Sequence, residues 1–577
     1  MTVSINAGQK SEMTKSAEGY FSCDISHLAP GEKYEFYVDG AGPLPDPASR
    51  YQPEGVHGPS EIIDPNAYQW RDADWLGIAR EDLIFYELHI AAFTPEGTFR
   101  SAAEKLPYLH DLGITAVELM PLADFPGNRN WGYDGVFPFA PAHCYGKPDD
   151  LRYFVDEAHQ LGMAVFVDAV YNHFGPDGAY QSFYSKHYLT KRHQTPWGDA
   201  INFDGPLSNC VRAYFVENAL RWIYEYHVDG LRLDATHAIK DDSPRHILAE
   251  LAAAVSGASS NLGRCVYVIA EDARNLAQQI EPTCKGGMGL AGVWADDFHH
   301  QMRRFLAGDN DGYFEEFEGT VPSIAKTVRR GWQRGSDPAG IEYFKFVYCI
   351  QNHDQIGNRA LGDRLNQALD PAAYRAASTL LLLLPQTPLL FMGQEWAAST
   401  PFQYFTDHHD DLGVLISEGR RREFAHFSAF GNADIPDPQA LSTFTASRLK
   451  WSELAIEPHA AVLRLYKSLL KLRRGEPALR SGGASPELRI EARDDDTLLL
   501  HRTSSHASLG LMAVIRLHGG GWVDLSDQSF NPAPLWNSED LEFAPDSQPM
   551  QVRPDESRLA FQRAGAIIFR SVEKADL

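Results

Sequence analysis

Four short runs in this 577-residue chain set carboxylates beside arginine, asparagine or histidine. They are Asp168-Ala169-Val170-Tyr171-Asn172-His173, Gly230-Leu231-Arg232-Leu233-Asp234-Ala235-Thr236-His237, Val268-Ile269-Ala270-Glu271-Asp272 and Gln351-Asn352-His353-Asp354-Gln355. Each lies where an apolar stretch gives way to polar residues, so the charges fall at the ends of buried strands. A single carboxylate so placed is an ordinary loop cap; four runs in this order on one mouth make a reaction centre. Three carboxylates around one cleft suit cleavage of a glycosidic bond. Its oxocarbenium-like transition state needs an anion at one face of the sugar and a proton donor at the leaving oxygen. On that chemistry Asp234 is the nucleophile. Arg232, two residues earlier and so on the same strand face, depresses its pKa and keeps it ionised. Glu271 follows the apolar run Val266–Ala270, where desolvation raises a carboxyl into the range of a general acid. Asp354 holds sugar hydroxyls and stabilises developing charge, with His353 and His173 as neutral hydrogen-bonding partners.

Positioning these residues requires a frame. Short apolar runs separated by helical stretches recur from Leu83 onward, the pattern of βα units and a parallel sheet. Eight candidate strands can be read: Leu83–Ile90, Ala116–Leu122, Ala164–Ala169, Gly230–Ala235, Val266–Ala270, Gly292–Trp294, Val347–Ile350 and Pro388–Met392. Eight such units close into an α/β fold of the (β/α)8 TIM-barrel type, with the functional residues at the C-terminal ends of the strands. Residues 79–475 exceed a bare barrel of about 250 residues and therefore carry insertions, the longest after the third and sixth strands. Residues 1–78 read as an N-terminal β-sandwich with strands at Tyr20–Ile25 and Lys33–Val38. Residues 476–577 read as a C-terminal β-sandwich with strands at Thr497–His501, Leu509–Ile515 and Arg558–Phe569.

Charge and composition narrow the partners. The chain has 52 basic and 77 acidic residues and a net charge of −25, which argues against nucleic-acid or anionic-membrane partners. The longest apolar run, Leu380 to Leu384, ends at Pro385 and is too short to cross a bilayer. The N-terminus has no signal-like apolar segment, so the expected location is cytoplasmic. The six cysteines, Cys23, Cys144, Cys210, Cys265, Cys284 and Cys349, lack zinc or disulfide-scaffold spacing.

The four runs resemble the signature regions of the α-amylase family of glycoside hydrolases, in order and in spacing. The resemblance implies Asp234 as nucleophile, Glu271 as acid/base and Asp354 as transition-state stabiliser. Arg232, His173, Asn352, His353 and Gln355 then belong to the substrate-binding surroundings, and Asp168 is structural. It also implies a retaining double displacement, with the two catalytic carboxyls roughly 5–5.5 Å apart. In Trp131-Gly132-Tyr133-Asp134, Tyr133 matches the aromatic residue that stacks on the sugar at the cleavage point.

Less universal runs sharpen the match. Gly55-Val56-His57-Gly58-Pro59-Ser60, Trp294-Ala295-Asp296-Asp297-Phe298-His299-His300, Phe391-Met392-Gly393-Gln394-Glu395-Trp396, Tyr404-Phe405-Thr406-Asp407-His408 and Glu418-Gly419-Arg420-Arg421-Arg422-Glu423-Phe424 resemble the maltooligosyltrehalose trehalohydrolase family. Members cleave the α-1,4 bond beside a terminal trehalose, so the resemblance implies maltooligosyltrehalose and related α-1,4-glucans as partners. It also implies functional pairing with maltooligosyltrehalose synthase. Trehalose contacts are then expected from His237, Asp296, Asp297, Phe298, His299 and His300, selecting through hydrogen bonds that an ordinary maltose end leaves unpaired. The first β-domain is carbohydrate-binding-module-like and short by about a strand, and Ala295 stands where members commonly carry Asn. Asn172 matches a calcium-binding position of many amylases but lacks an acidic cage; the resemblance implies neither metal nor cofactor. Glycogen branching or debranching enzymes share the trio and are the alternative. A noncatalytic glucan-binding protein is disfavoured because such proteins usually lose a catalytic carboxylate, and all three stand here.

Overall fold

The computed structural model of the chain describes residues 1–424, 435–480, 487–503, 510–553 and 557–571, except residues 9 and 18. Eight parallel strands close on themselves: β1 (Phe85–Leu88), β2 (Ala116–Leu119), β3 (Ala164–Ala169), β4 (Gly230–Leu233), β5 (Tyr267–Glu271), β6 (Gly292–Trp294), β7 (Phe346–Tyr348) and β8 (Thr387–Phe391). All eight expected strands are present, with ends moved by a few residues. Helices such as Pro148–Gln160, Ile247–Leu262, Pro371–Leu383 and His459–Gly475 surround them. Each strand is buried on both faces, so its sequence is apolar without alternation.

Inside the barrel the two-residue period still separates layers. Phe85, Phe166, Ile269, Trp294, Val347, Cys349 and Leu389 pack together as an apolar plug. Gly230 is required at the base of β4, because a Cβ there would stand 2.2 Å from the Phe166 ring. Two residues along β1 to β4 from the plug, the inward side chains become Glu87, Glu118, Asp168 and Arg232, all buried. The apolar plug thus carries a charged layer, and the C-terminal mouth lies above it.

The N-terminal strands form a five-stranded antiparallel sheet centred on Thr2–Ile5 and Lys33–Val38, plus a small hairpin of Thr14–Lys15 with Phe21–Ser22. The expected strand Tyr20–Ile25 is therefore only the Phe21–Ser22 arm, since turns crowd both sides of it. At the C-terminus two sheets do stack: one five-stranded, including Thr497–Thr503 and Leu511–Arg516, and one three-stranded. Leu499, Val514, Val523, Leu559 and Ile567 join them in a common core. The expected strand Arg558–Phe569 is two, Arg558–Phe561 and Gly565–Arg570, because Arg563 turns away to pair with Glu539 and Asp546 at 2.8 and 2.6 Å. Leu509 and the side chains of Glu423 and Phe424 lie outside the described residues. Among the described residues, no helix is long and apolar enough to cross a membrane.

Candidate active site

Arg232 organises the mouth from the charged layer below. Fully buried, its guanidinium lies against the Trp294 ring, 4.3 Å from the centroid. Nη1 donates to Asp168 Oδ2 at 2.6 Å and to Asp234 Oδ1 at 2.9 Å. Nη2 stands 2.8 Å from Glu271 Oε2. One planar cation therefore holds the two candidate catalytic carboxyls as neighbours, a task suited to arginine's fixed fork of donors.

The backbone after Asp234 adds to this. Ala235 adopts φ +40°, a left-handed conformation that a non-glycine residue holds only under constraint. Its N–H thereby reaches Glu271 Oε2 at 2.7 Å. Thr236 Oγ1 closes the same turn, its single proton shared between the Glu271 carbonyl and Asp272 Oδ2, which lie at 2.9 and 2.8 Å. Asp234 Oδ2 accepts from Asn172 Nδ2 at 2.8 Å. The Asn172 amide oxygen meets His173 Nδ1 at 2.6 Å, so Asn172 is spent on orienting the site residues.

The three carboxylates differ in environment. Burial pushes Glu271 up to about 7, with Asp234 and Asp354 adding to the rise and Arg232 opposing it. Burial also lifts Asp234 above its ordinary value, against the pull of Arg232 and Asn172. This corrects the expectation that Arg232 depresses Asp234: desolvation is the larger effect. Asp354 follows β7 as the second residue of the helix His353–Gly357, and its side chain is about a third exposed, at 33%. Asn358 Nδ2 donates to its Oδ1 at 3.1 Å. Asp296 joins the cluster: burial, then Glu271 and Asp354, push its carboxyl up to about 8.

The flanking residues divide. Burial lowers His173 to about 4, so it is neutral as expected; His353 is not, since Asp354 and Glu87 outweigh burial and raise it to about 10. Tyr133 follows Gly132, whose φ of +106° lets the chain turn past Pro121. Its ring stacks on His353 with centroids 5.2 Å apart, and its hydroxyl donates to Asp168 at 2.6 Å. His300 reaches Gln355 Nε2 at 3.4 Å within a ring cluster of Tyr313, Phe314 and Phe317. His237, half-buried beside the turn that follows Asp234, is lowered by burial, and its Nδ1 is buried without a protein partner.

Four expected contacts are corrected. Asp297 accepts from Asn275 Nδ2 and from the backbone N–H groups of Gln333 and Arg334, so its carboxylate pins the following loop. Phe298 is fully buried and stacks on Tyr348 at 4.6 Å, as core. His299 is buried one residue on, packed with Phe314. Asp296 ends up toward the mouth and these three do not, because the helix Asp297–Ala307 starts there and rotates them onto its inner face. Asn352 caps the helix that carries Asp354, accepting from Gln355 N at 2.9 Å.

Sequence reasoning missed three contributors. Glu87 takes the His353 backbone N–H at 3.1 Å and pairs with its Nδ1. Trp197, at the tip of the hairpin Leu189–Thr195 with Gly198–Ile201, stacks on His173 at 4.3 Å and 5°, yet is 48% exposed. Tyr313, 47% exposed, is pushed up to about 12 by burial, with Asp354 and Asp296 contributing. An exposed aromatic in a long insertion was the available signal for both rings. His193, Asp204 and Asp242 are the described residues whose ligand atoms could meet one cation, but Arg192 already pairs with Asp204 at 3.3 Å.

The chain matches the α-amylase catalytic-domain family over residues 63–200. It is 47% identical to the malto-oligosyltrehalose trehalohydrolase of Deinococcus radiodurans over 488 residues, 82% of this chain and 79% of that protein. With the enzyme of the same name from Saccharolobus solfataricus it shares 42% over 476 residues, 80% and 81% of the two chains. It belongs to the malto-oligosyltrehalose trehalohydrolase family. A crystal structure of a putative α-amylase from Salmonella typhimurium superposes with a TM-score of 0.88 at 34% identity, covering 99% of this chain and 96% of that one.

Proposed function

We propose that this trehalohydrolase-family chain is a retaining glycoside hydrolase that cleaves the α-1,4 bond next to the terminal trehalose of maltooligosyltrehalose. The products are trehalose and a maltooligosaccharide. The observation that carries this reading is the pair of carboxyls, Asp234 and Glu271, held by one guanidinium, with the pKa of Glu271 raised to about 7. Glu271 gives its proton to the bridging oxygen while Asp234 attacks the anomeric carbon. Trehalose leaves, and a glycosyl ester to Asp234 remains. Glu271, now ionised, takes a proton from water, which displaces Asp234 and regenerates both groups. Asp354 accepts hydrogen bonds from the sugar, and the open face of Tyr133 supports its ring.

On the leaving-group side, Asp296 and His237 offer hydrogen bonds, and Trp197 and Tyr313 offer apolar faces to a disaccharide. A partly neutral Asp296 is both donor and acceptor, which suits the hydroxyl-rich surface of trehalose. The reading includes a cytoplasmic setting, supported by six unpaired cysteines, and functional pairing with the synthase that makes the substrate.

The test is to incubate the protein with maltotriosyltrehalose and, separately, with maltopentaose, and to chromatograph the products. Free trehalose with little maltopentaose cleavage is the expected result. Equal cleavage of both would reduce the assignment to a general α-amylase-type hydrolase, and a shift in iodine staining of a long glucan would point to a branching enzyme.

A further inference from the structure

Beneath the mouth, His353 sits in a chain of hydrogen bonds whose protons can be counted. Its Nδ1 pairs with Glu87 Oε1, and its backbone N–H donates to Glu87 Oε2 at 3.1 Å. Its Nε2 lies 2.7 Å from the Tyr133 hydroxyl. That hydroxyl has one proton, and it lies 2.6 Å from Asp168 Oδ2, which is ion-paired to Arg232 and so accepts only. The phenol proton therefore goes to Asp168, and His353 Nε2 must donate to the phenol oxygen. A neutral His353 protonated on Nδ1 alone would leave either the Tyr133–Asp168 or the Tyr133–His353 contact without a proton, and one protonated on Nε2 alone would need Glu87 to supply the proton of the Nδ1 contact.

We propose that Glu87 is a positioning residue that holds His353 doubly protonated, its Nδ1–H paired with Glu87 and its Nε2–H given to the Tyr133 phenol, so that the sugar at the cleavage point meets a fixed positive charge beside Asp354. This rests on the reading of the mouth as a glucan-cleaving site. The groups around His353 agree. Glu87 comes from β1, Asp354 from its own helix at 3.4 Å, and Asp168 from β3 through Tyr133. Opposing them is Arg232 from β4; His89, lowered to about 4 by burial, carries no charge and adds no repulsion. Glu118 of β2 stands in register with Glu87, and both its carboxyl oxygens are buried without a protein partner. Burial and the neighbouring Glu87 raise it well above the ordinary value. Asp354 and Glu87 hold the imidazole up against burial.

Two readouts decide this. The first needs no substrate: nitrogen NMR of histidine-labelled protein at pH 8, with the His353 signal assigned by its loss in His353→Gln. Both ring nitrogens protonated in the wild type, and a neutral ring in Glu87→Gln, is the expected pattern. A neutral His353 in the wild type at pH 8 overturns the proposal. The second is the ratio of kcat/KM for Glu87→Gln to wild type, on maltotriosyltrehalose, between pH 5 and pH 8. It should fall by tenfold or more across that range, because the variant loses the imidazolium as pH rises. Adding Glu87→Gln to His353→Gln should then change the pH profile by less than twofold. A ratio independent of pH would make Glu87 merely structural. Should Glu87→Gln not fold, the wild-type NMR and the more conservative Glu87→Asp, expected to retain the charged ring, still decide. If no glucan is cleaved, the functional reading falls while the NMR result stands.

Discussion

Glu271 and Asp234 share one guanidinium, and burial pushes Glu271 up to about 7, which supports the proposed role of Glu271 as acid beside Asp234 as nucleophile. On the proposed mechanism, activity needs Glu271 protonated and Asp234 ionised. The pH–rate profile is therefore expected to fall on the basic side near pH 7 and on the acid side above the ordinary aspartate value, as a kcat/KM series will show. The same shift acts on stability. Between the unfolded pKa of about 4.5 and the folded value near 7, only the native state holds the proton. Stability from this group is thus present at low pH and lost as pH rises through 7, an effect of up to about 3 kcal/mol. Glu271→Gln, which cannot ionise, should resist urea better than the wild type at pH 8 by more than it does at pH 5, while hydrolysis falls by several orders of magnitude. Arg232→Lys keeps the charge but loses the fork, and kcat should drop at least a hundredfold, or about 3 kcal/mol of barrier.

At the scale of elements, the barrel strands were legible because each is a short apolar run closed by a polar end, and the cluster of Asp234, Glu271 and Asp354 was legible because it stands at those ends. The reach of partners distant in sequence was not. Glu87 is 266 residues from His353, and nothing local marks it as more than one charge in a buried strand. Phe298 and His299 were drawn toward the mouth by their neighbours in the sequence, whereas the helix starting at Asp297 turns them inward. The hairpin after β3 carries the least expected contribution. Trp197 lies parallel to His173, and half its surface faces solvent above the site. Removing this face should cost about 1 kcal/mol of substrate binding. Trp197→Ala is therefore expected to raise KM for maltotriosyltrehalose five- to tenfold with little change in kcat. An equal loss in kcat would mean that the ring acts instead through the orientation of His173.

Across the whole molecule, the C-terminal sheets are fused to the barrel rather than appended. Leu498, Leu500, Leu511, Ala513 and Ile568 belong to the same apolar cluster as Leu380, Leu383 and Leu469 of the helices Pro371–Leu383 and His459–Gly475. Polar ties cross the same boundary. Buried Arg502 donates to the Leu383 carbonyl at 2.6 Å, and buried Arg375 pairs with buried Glu539 at 2.6 Å. Breaking such a pair from one side leaves a charge without its partner in a dry place, at a cost of about 3–5 kcal/mol. Glu539 keeps Arg563 at 2.8 Å, which places Arg375→Met toward the lower end of that range. Because Arg375 pairs with Glu539 and Asp546 and not with the carboxylates of the mouth, kcat of the folded variant should match the wild type. A shared core also predicts cooperative melting: calorimetry should show barrel and C-terminal sheets unfolding in one transition, displaced downward in Arg375→Met without splitting. Two separate transitions would mean that the sheets are stable alone. Ending the chain after Gly475 would then give an active soluble barrel, whereas a fused core requires that truncation to aggregate through the uncovered leucines.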